Sequence, residues 1–211
     1  MLQEALDFLR TRKKANLTMA AVNIIVFLVL SVLGNTENVV FMYNHGACAA
    51  SAVQGGEYYR LFTAMFLHFG FIHLVYNMLC LIFVGDMLES AVGPGWYLFV
   101  YLLGGLFGNL VSVAAEILSG RNVVSAGASG AVFAVIAAVF GMMVKRRRNV
   151  PQNLLRRVGL MTVLMLLQGF TQKGTDTAAH VGGAVFGFVF GLVYISRNTG
   201  KRNNRKGVTR L

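Results

Sequence analysis

The stretch Gly127-Ala128-Ser129-Gly130, continued by Ala131 to Val144 (AVFAVIAAVFGMMV) and stopped by Lys145-Arg146-Arg147-Arg148, decides how the chain reads. It places one hydroxyl among small residues at the head of an uncharged apolar helix that ends on a cluster of cations. Working outward, the composition agrees with a membrane setting. Of 211 residues 56% are hydrophobic and 13% charged, the mean hydropathy is +0.63, and soluble domains carry about 25% charged residues. The net charge of +11 would elsewhere point to nucleic acid. Here the cations cluster outside the apolar runs, which is the signature of membrane topology. Cys48 and Cys80 show no framework spacing and predict no structural disulfide.

Six apolar segments can be laid out. Residues 1–16 form a short polar and basic lead with Leu2, Leu6 and Leu9 spaced for one face of an interfacial helix. The first span is expected over 17–34. It follows the basic stretch Arg10 to Lys14 and is long enough to cross, the pattern of a retained span and not of a cleaved signal. Residues 35–66 are too polar to span and rich in Phe41, Tyr43, Tyr58, Tyr59, Phe62 and Phe66, rings expected to settle at the interface. The second span is expected over 69–88 and the third over 96–118, with a turn at Ala91-Val92-Gly93-Pro94-Gly95 between them. The fourth follows over 129–144, then a basic loop from Lys145 to Arg157, a short fifth span over 158–170, a sixth over 178–195 and a basic tail over 197–211.

Six spans put both termini on one side. Lysine and arginine number 4 in the lead, 6 in the loop between spans four and five, and 6 from Arg197 onward, leaving Arg60, Arg121 and Lys173 opposite. The positive-inside rule then makes both termini cytoplasmic and turns the aromatic loop outward. Spans two, four and six run from outside to inside, and their outer ends carry His73 with Asn77, Ser129, and His180. Polar groups in hydrocarbon are costly unless paired or wetted, so such residues are functional candidates. From Ser129 to Lys145 is about 24 Å of helix against roughly 30 Å of core, which sets Ser129 several ångströms below the outer surface. Gly183, Gly187 and Gly191 in span six and Gly130, Ala134 and Ala138 in span four form small-residue stripes that let the two backbones approach.

A serine hydroxyl needs a base to take its proton, and a neutral histidine within hydrogen-bond reach supplies one. Amide hydrolysis also needs donors aimed at the oxyanion. His73 and Asn77, four apart, share a helix face and present two side-chain donors, and the backbone N–H groups at the start of span four add fixed dipoles. Taken singly, each residue also has a plain structural reading: Ser129 as a capping or packing serine, His180 as an interhelical tie, His45 and His68 as structural or solvated histidines.

In combination these residues resemble the rhomboid family of intramembrane serine proteases. The matching elements are His73-x-x-x-Asn77, Gly127-Ala128-Ser129-Gly130 and Ala179-His180-x-x-Gly183-x-x-x-Gly187, with Gly85-x-x-x-Glu89-x-x-x-Gly93 at the inner end of span two and His68 as the additional upstream histidine. The family's Trp-Arg pair in the outer loop is Tyr59-Arg60 here. The resemblance implies an all-α polytopic membrane protein, a bundle of six transmembrane helices over 17–196 with a water-filled cavity open to the outside and the fifth span as a lateral gate. It implies Ser129 as nucleophile, His180 as general base, His73 and Asn77 in the oxyanion hole, and Gly127, Gly130, Gly183, Gly187, Arg60, Glu89 and His68 as supporting residues. No metal or cofactor is implied. The expected partners are transmembrane protein substrates, single-span and cut within or beside their membrane helix, and membrane lipids, with no nucleic acid. The expected location is a cell membrane, that of a bacterial plasma membrane.

Two other readings stand beside this one: an inactive relative that binds membrane clients, and a small transporter with Glu116 as its carrier group. Other protease chemistries fit less well. There is no His-Glu-x-x-His, Asp86 has no facing aspartate, and Ala131 stands where the esterase elbow Gly-x-Ser-x-Gly would need its second glycine.

Overall fold

The computed structural model describes residues 13–146, 152–171 and 176–208. Leu2, Leu6 and Leu9 of the lead, Arg147, Arg148 and Lys173 lie outside the described residues. Among the described residues ten α-helices follow in order: α1 (Lys14–Leu33), α2 (Val39–Asn44), α3 (Ala50–Gln54), α4 (Arg60–Thr63), α5 (Gly70–Cys80), α6 (Asp86–Val92), α7 (Pro94–Ser119), α8 (Ser129–Arg146), α9 (Gln152–Thr171) and α10 (Thr177–Val208). A 3-10 turn over Ala64–Phe66 follows α4, and a π turn over Leu81–Gly85 joins α5 to α6 into one continuous span. Among the described residues the only β pairing is an isolated bridge between Cys48 and Ser125.

Lys14–Leu33, Gly70–Val92, Pro94–Ser119 and Thr177–Ile195 are each long and apolar enough to cross a membrane. Helix α8 is shorter, apolar over Ser129–Lys145, and it faces protein: Ala131, Val132, Ala134, Val135 and Ala138 are all buried. It forms the centre around which α7, α10 and α5 pack. The polytopic helical architecture expected from the residues is present, with boundaries that differ in places. Helix α1 begins at Lys14, so Asn16 belongs to the bundle: it is buried, its Nδ2 donates to Leu81 O and Asp86 Oδ1 (2.8 and 2.7 Å), and its Oδ1 accepts from Tyr97 Oη (2.7 Å). Helix α9 begins at Gln152, six residues before the expected start, and takes Arg156 and Arg157 out of the basic loop. A helix can carry polar turns where it leaves the hydrocarbon, and a search for unbroken apolar runs leaves those turns out. Helix α10 likewise continues through the basic segment to Val208.

Segment 35–69 is a folded layer of short helices. Arg60 is buried at its centre. Its guanidinium donates to the carbonyls of Tyr43 and Ala47, to Glu57 Oε2 at 2.8 Å, and lies 4.4 Å above the Tyr43 ring. Tyr58, Tyr59 and Phe62 are exposed as an interfacial ring set would be, whereas Phe41 packs into a small core around Leu30, Met42, Ala47 and Leu67.

Candidate active site

Ser129 is the first residue of α8 and His180 the fourth of α10. The two come together because α8 and α10 touch backbone to backbone. A Cβ on Gly183, Gly187 or Gly191 would run into the carbonyl oxygen of Gly130, Ala134 or Ala138 respectively, so the three glycines are the condition for this approach. Across that contact Ser129 Oγ lies 2.7 Å from His180 Nε2, and with Nε2 unprotonated the hydroxyl donates to it. The imidazole is stacked on Phe133, one turn below Ser129, with centroids 4.5 Å apart and an angle of 27°. Ser129 is buried and His180 half-buried, a dry setting in which fixed dipoles act strongly.

The chain reaches Ser129 through a strap held by four hydrogen bonds at three residues. Cys48 and Ser125 exchange N–H to O bonds of 2.8 Å, Gly127 N–H donates to Ala64 O at 2.9 Å, and Ala128 N–H donates to His68 Nε2 at 3.4 Å. His68 is fully buried, and burial holds its imidazole well below the ordinary histidine range, with nearby His73 adding to the effect. It stays neutral and acts as a buttress, neither solvated nor facing the Ser129–His180 contact. Gly127 has φ +149, a backbone region that disfavours side chains. A Cβ there would stand 2.9 Å from His73 Nε2 and 3.6 Å from Ser129 Oγ. The missing side chain therefore lets the His73 imidazole close up against the backbone beside the Ser129 hydroxyl.

His73 and Asn77 lie one turn apart on α5, both buried, with His68 edge-on to His73 at 5.3 Å. Asn77 Nδ2 spends one hydrogen on the carbonyl of His73 (3.0 Å). His73 Nδ1 and Asn77 Oδ1 are buried without a hydrogen-bond partner, as are His68 Nδ1 and Asn23 Oδ1 of α1, an arrangement that costs about 1–3 kcal/mol per group. The remaining expected residues lie elsewhere. Glu89 is at the opposite end of the bundle, where its carboxylate accepts the N–H groups of Ala15 (3.3 Å) and Asn16 (2.8 Å) and so caps α1. Gly85 faces Asn16, whose Oδ1 occupies the space of a Cβ. Arg60 fixes the 35–69 layer at Ala47, next to the Cys48 bridge, and reaches the strap only through it.

Two neighbours of the Ser129–His180 contact do not stand out in the sequence. Phe133 is signalled only by its place four residues after Ser129 on an apolar helix. Asp176 opens α10 as an N-cap, and an Asp ahead of an apolar run is a legible start signal. Glu116 accepts Val123 N–H at 3.2 Å at the end of α7, an ordinary structural role. Cys48 is no rival nucleophile, since burial pushes its thiol up to about 12. Among the described residues no cluster of metal-ligating side chains occurs.

A rhomboid domain model matches residues 55–197. Rhomboid protease GluP of Bacillus subtilis (strain 168) is 32% identical over 168 residues, 80% of this chain and 32% of that protein. RHOMBOID-like protein 5 of Arabidopsis thaliana is 36% identical over 155 residues, 72% of this chain and 49% of that protein. The putative rhomboid protease YdcA of Bacillus subtilis is 28% identical over 145 residues, 69% of this chain and 71% of that protein. The chain thus spans about a third of the length of one of these relatives and about half of another. The domain match takes in the strap, α8 and the glycine contact that brings α10 to it, and on that match the chain belongs to the rhomboid family.

Proposed function

We propose that the chain is an intramembrane serine endopeptidase working through a Ser129–His180 dyad. The single observation that carries the reading is the 2.7 Å contact between Ser129 Oγ and His180 Nε2, made at the starts of two apolar helices. Ser129 Oγ attacks the scissile carbonyl as His180 Nε2 takes its proton. The oxyanion forms beside Gly127, with the Ser129 N–H at the start of α8, His73 and Asn77 as its donors. His180 then gives the proton to the departing amine, and water, deprotonated by the same imidazole, hydrolyses the acyl-enzyme. Substrates are single-span membrane proteins, cut within or beside the membrane helix. Their carbonyls must first leave the helical ladder, so small or helix-breaking residues near the cut are favoured. Helix α9 serves as the lateral gate. The excess of lysine and arginine at the end of the bundle opposite Ser129 supports cytoplasmic termini in a bacterial plasma membrane, with the catalytic unit at 17–196 and anionic lipid against the basic tail.

The test is cleavage of a single-span substrate in proteoliposomes. Ser129→Ala and His180→Ala are each expected to lower kcat by about 10³-fold or more, and undiminished turnover in either removes that residue from the dyad. A fluorophosphonate probe is expected to label Ser129 by peptide mapping, and the His180→Ala protein to lose that labelling.

A further inference from the structure

Asp176 stands four residues before His180, at the head of α10, with both carboxylate oxygens committed. Oδ1 accepts the N–H of Ala179 at 2.9 Å, and Oδ2 accepts the hydroxyl of Ser112 at 2.5 Å. Its carbonyl oxygen accepts the N–H of His180 itself at 3.2 Å. Ser112 is buried in α7, so the carboxylate is clamped between α7 and the first turn of α10, the turn that carries the imidazole. Behind the clamp lies a cavity of about 190 Å³ whose charged lining is Glu116, Arg121 and Asp176. Of these, Glu116 is engaged by Val123 N–H and Arg121 donates to Ser119 Oγ at 3.2 Å.

A helix start asks only for a short polar cap, and Asn serves there as well as Asp. Proton transfer from Ser129 asks for more, because it turns His180 into a cation. A fixed anion one turn away favours that cation in the transition state. We propose that Asp176 is a positioning residue for His180: Ser112 and Ala179 hold it, and its charge favours the imidazolium that forms as Ser129 attacks. The inference rests on the reading of His180 as the base.

The experiment compares Asp176→Asn, Asp176→Ala, Ser112→Ala and Ser129→Ala with the wild-type protein in proteoliposomes, with Tm measured for each. Asp176→Asn keeps a cap and removes the charge. It is expected to leave Tm and KM near wild type and lower kcat about 10-fold. The acidic limb of kcat/KM should move to lower pH, since a base without a neighbouring anion protonates less readily. Asp176→Ala is expected to add a loss of Tm. Wild-type kcat and pH profile in Asp176→Asn, with Ser129→Ala inactive, overturn the proposal. Activity in Ser129→Ala overturns the dyad itself. Should Asp176→Asn fail to fold, Ser112→Ala carries the test: a fall in kcat at unchanged KM supports the role, and unchanged kcat overturns it.

Discussion

Gly127 is held in a backbone region unfavourable to other residues while the His73 ring sits where its side chain would go. Both conditions act on Gly127→Ala, which is expected to cost about 1–3 kcal/mol of backbone strain and to displace His73 from its place beside Ser129. The measurable result is a kcat lowered about 100-fold, as for loss of one oxyanion donor, with a smaller fall in Tm; near-normal turnover would mean that the placement of His73 has no part in the reaction. Arg60 gives the complementary case, since it touches nothing in the dyad. Its fork joins two carbonyls and a carboxylate, which a lysine's single ammonium cannot reproduce. Arg60→Lys is expected to lower stability by about 1–3 kcal/mol, read from thermal denaturation in detergent, with activity recovering at lower temperature. At this scale Ser129, His180, His73 and Asn77 stood out because their types are costly in lipid. Asp176 and Phe133 did not, because their importance lies in partners on other helices: Ser112 on α7 for one, His180 on α10 for the other.

Among the helices, the contact of α8 with α10 rests on the absence of three side chains. Gly187→Ala places a methyl group against the Ala134 carbonyl, where neither backbone can yield without the other, and overpacking of this kind costs about 1–3 kcal/mol. A lowered Tm together with lost probe labelling of Ser129 is expected. Gly159 on α9 is the control: nothing lies within 4 Å of its missing Cβ, so Gly159→Ala is expected to hold or raise Tm, by up to about 1 kcal/mol of helix propensity. The glycine spacing made this contact legible before any geometry was known. The start of α9 was not, since Gln152, Asn153, Arg156 and Arg157 belong to a helix without belonging to an apolar run.

For the whole molecule, charge and hydropathy together gave the order of the spans, because lipid leaves a chain few ways to satisfy its backbone. The 35–69 layer was harder to read. Residues 35–69 resemble an aromatic interfacial loop in composition, yet their role is mechanical: through the Cys48–Ser125 bridge, Ala64 and His68 they hold the strap that presents Ser129. The proposed orientation has its own test. A fluorescent protein fused after Leu211 is expected to fold and fluoresce in the cytoplasm, whereas alkaline phosphatase fused there should stay inactive. The reverse pattern would invert the bundle and put Ser129 near the inner face.

The π turn at Leu81–Gly85 sets the phase of the second span. Asn16 Nδ2 donates to the Leu81 carbonyl at its start, and the turn lies between the half bearing His73 and Asn77 and the half bearing Glu89. Each residue of helix turns the chain by about 100°. Deleting one residue within the turn would keep every motif intact as a string of letters and still rotate one half by that angle against the other. Either the donors would leave Ser129 or Glu89 would leave α1, so a change that spares every polar residue of the site can still disarm it.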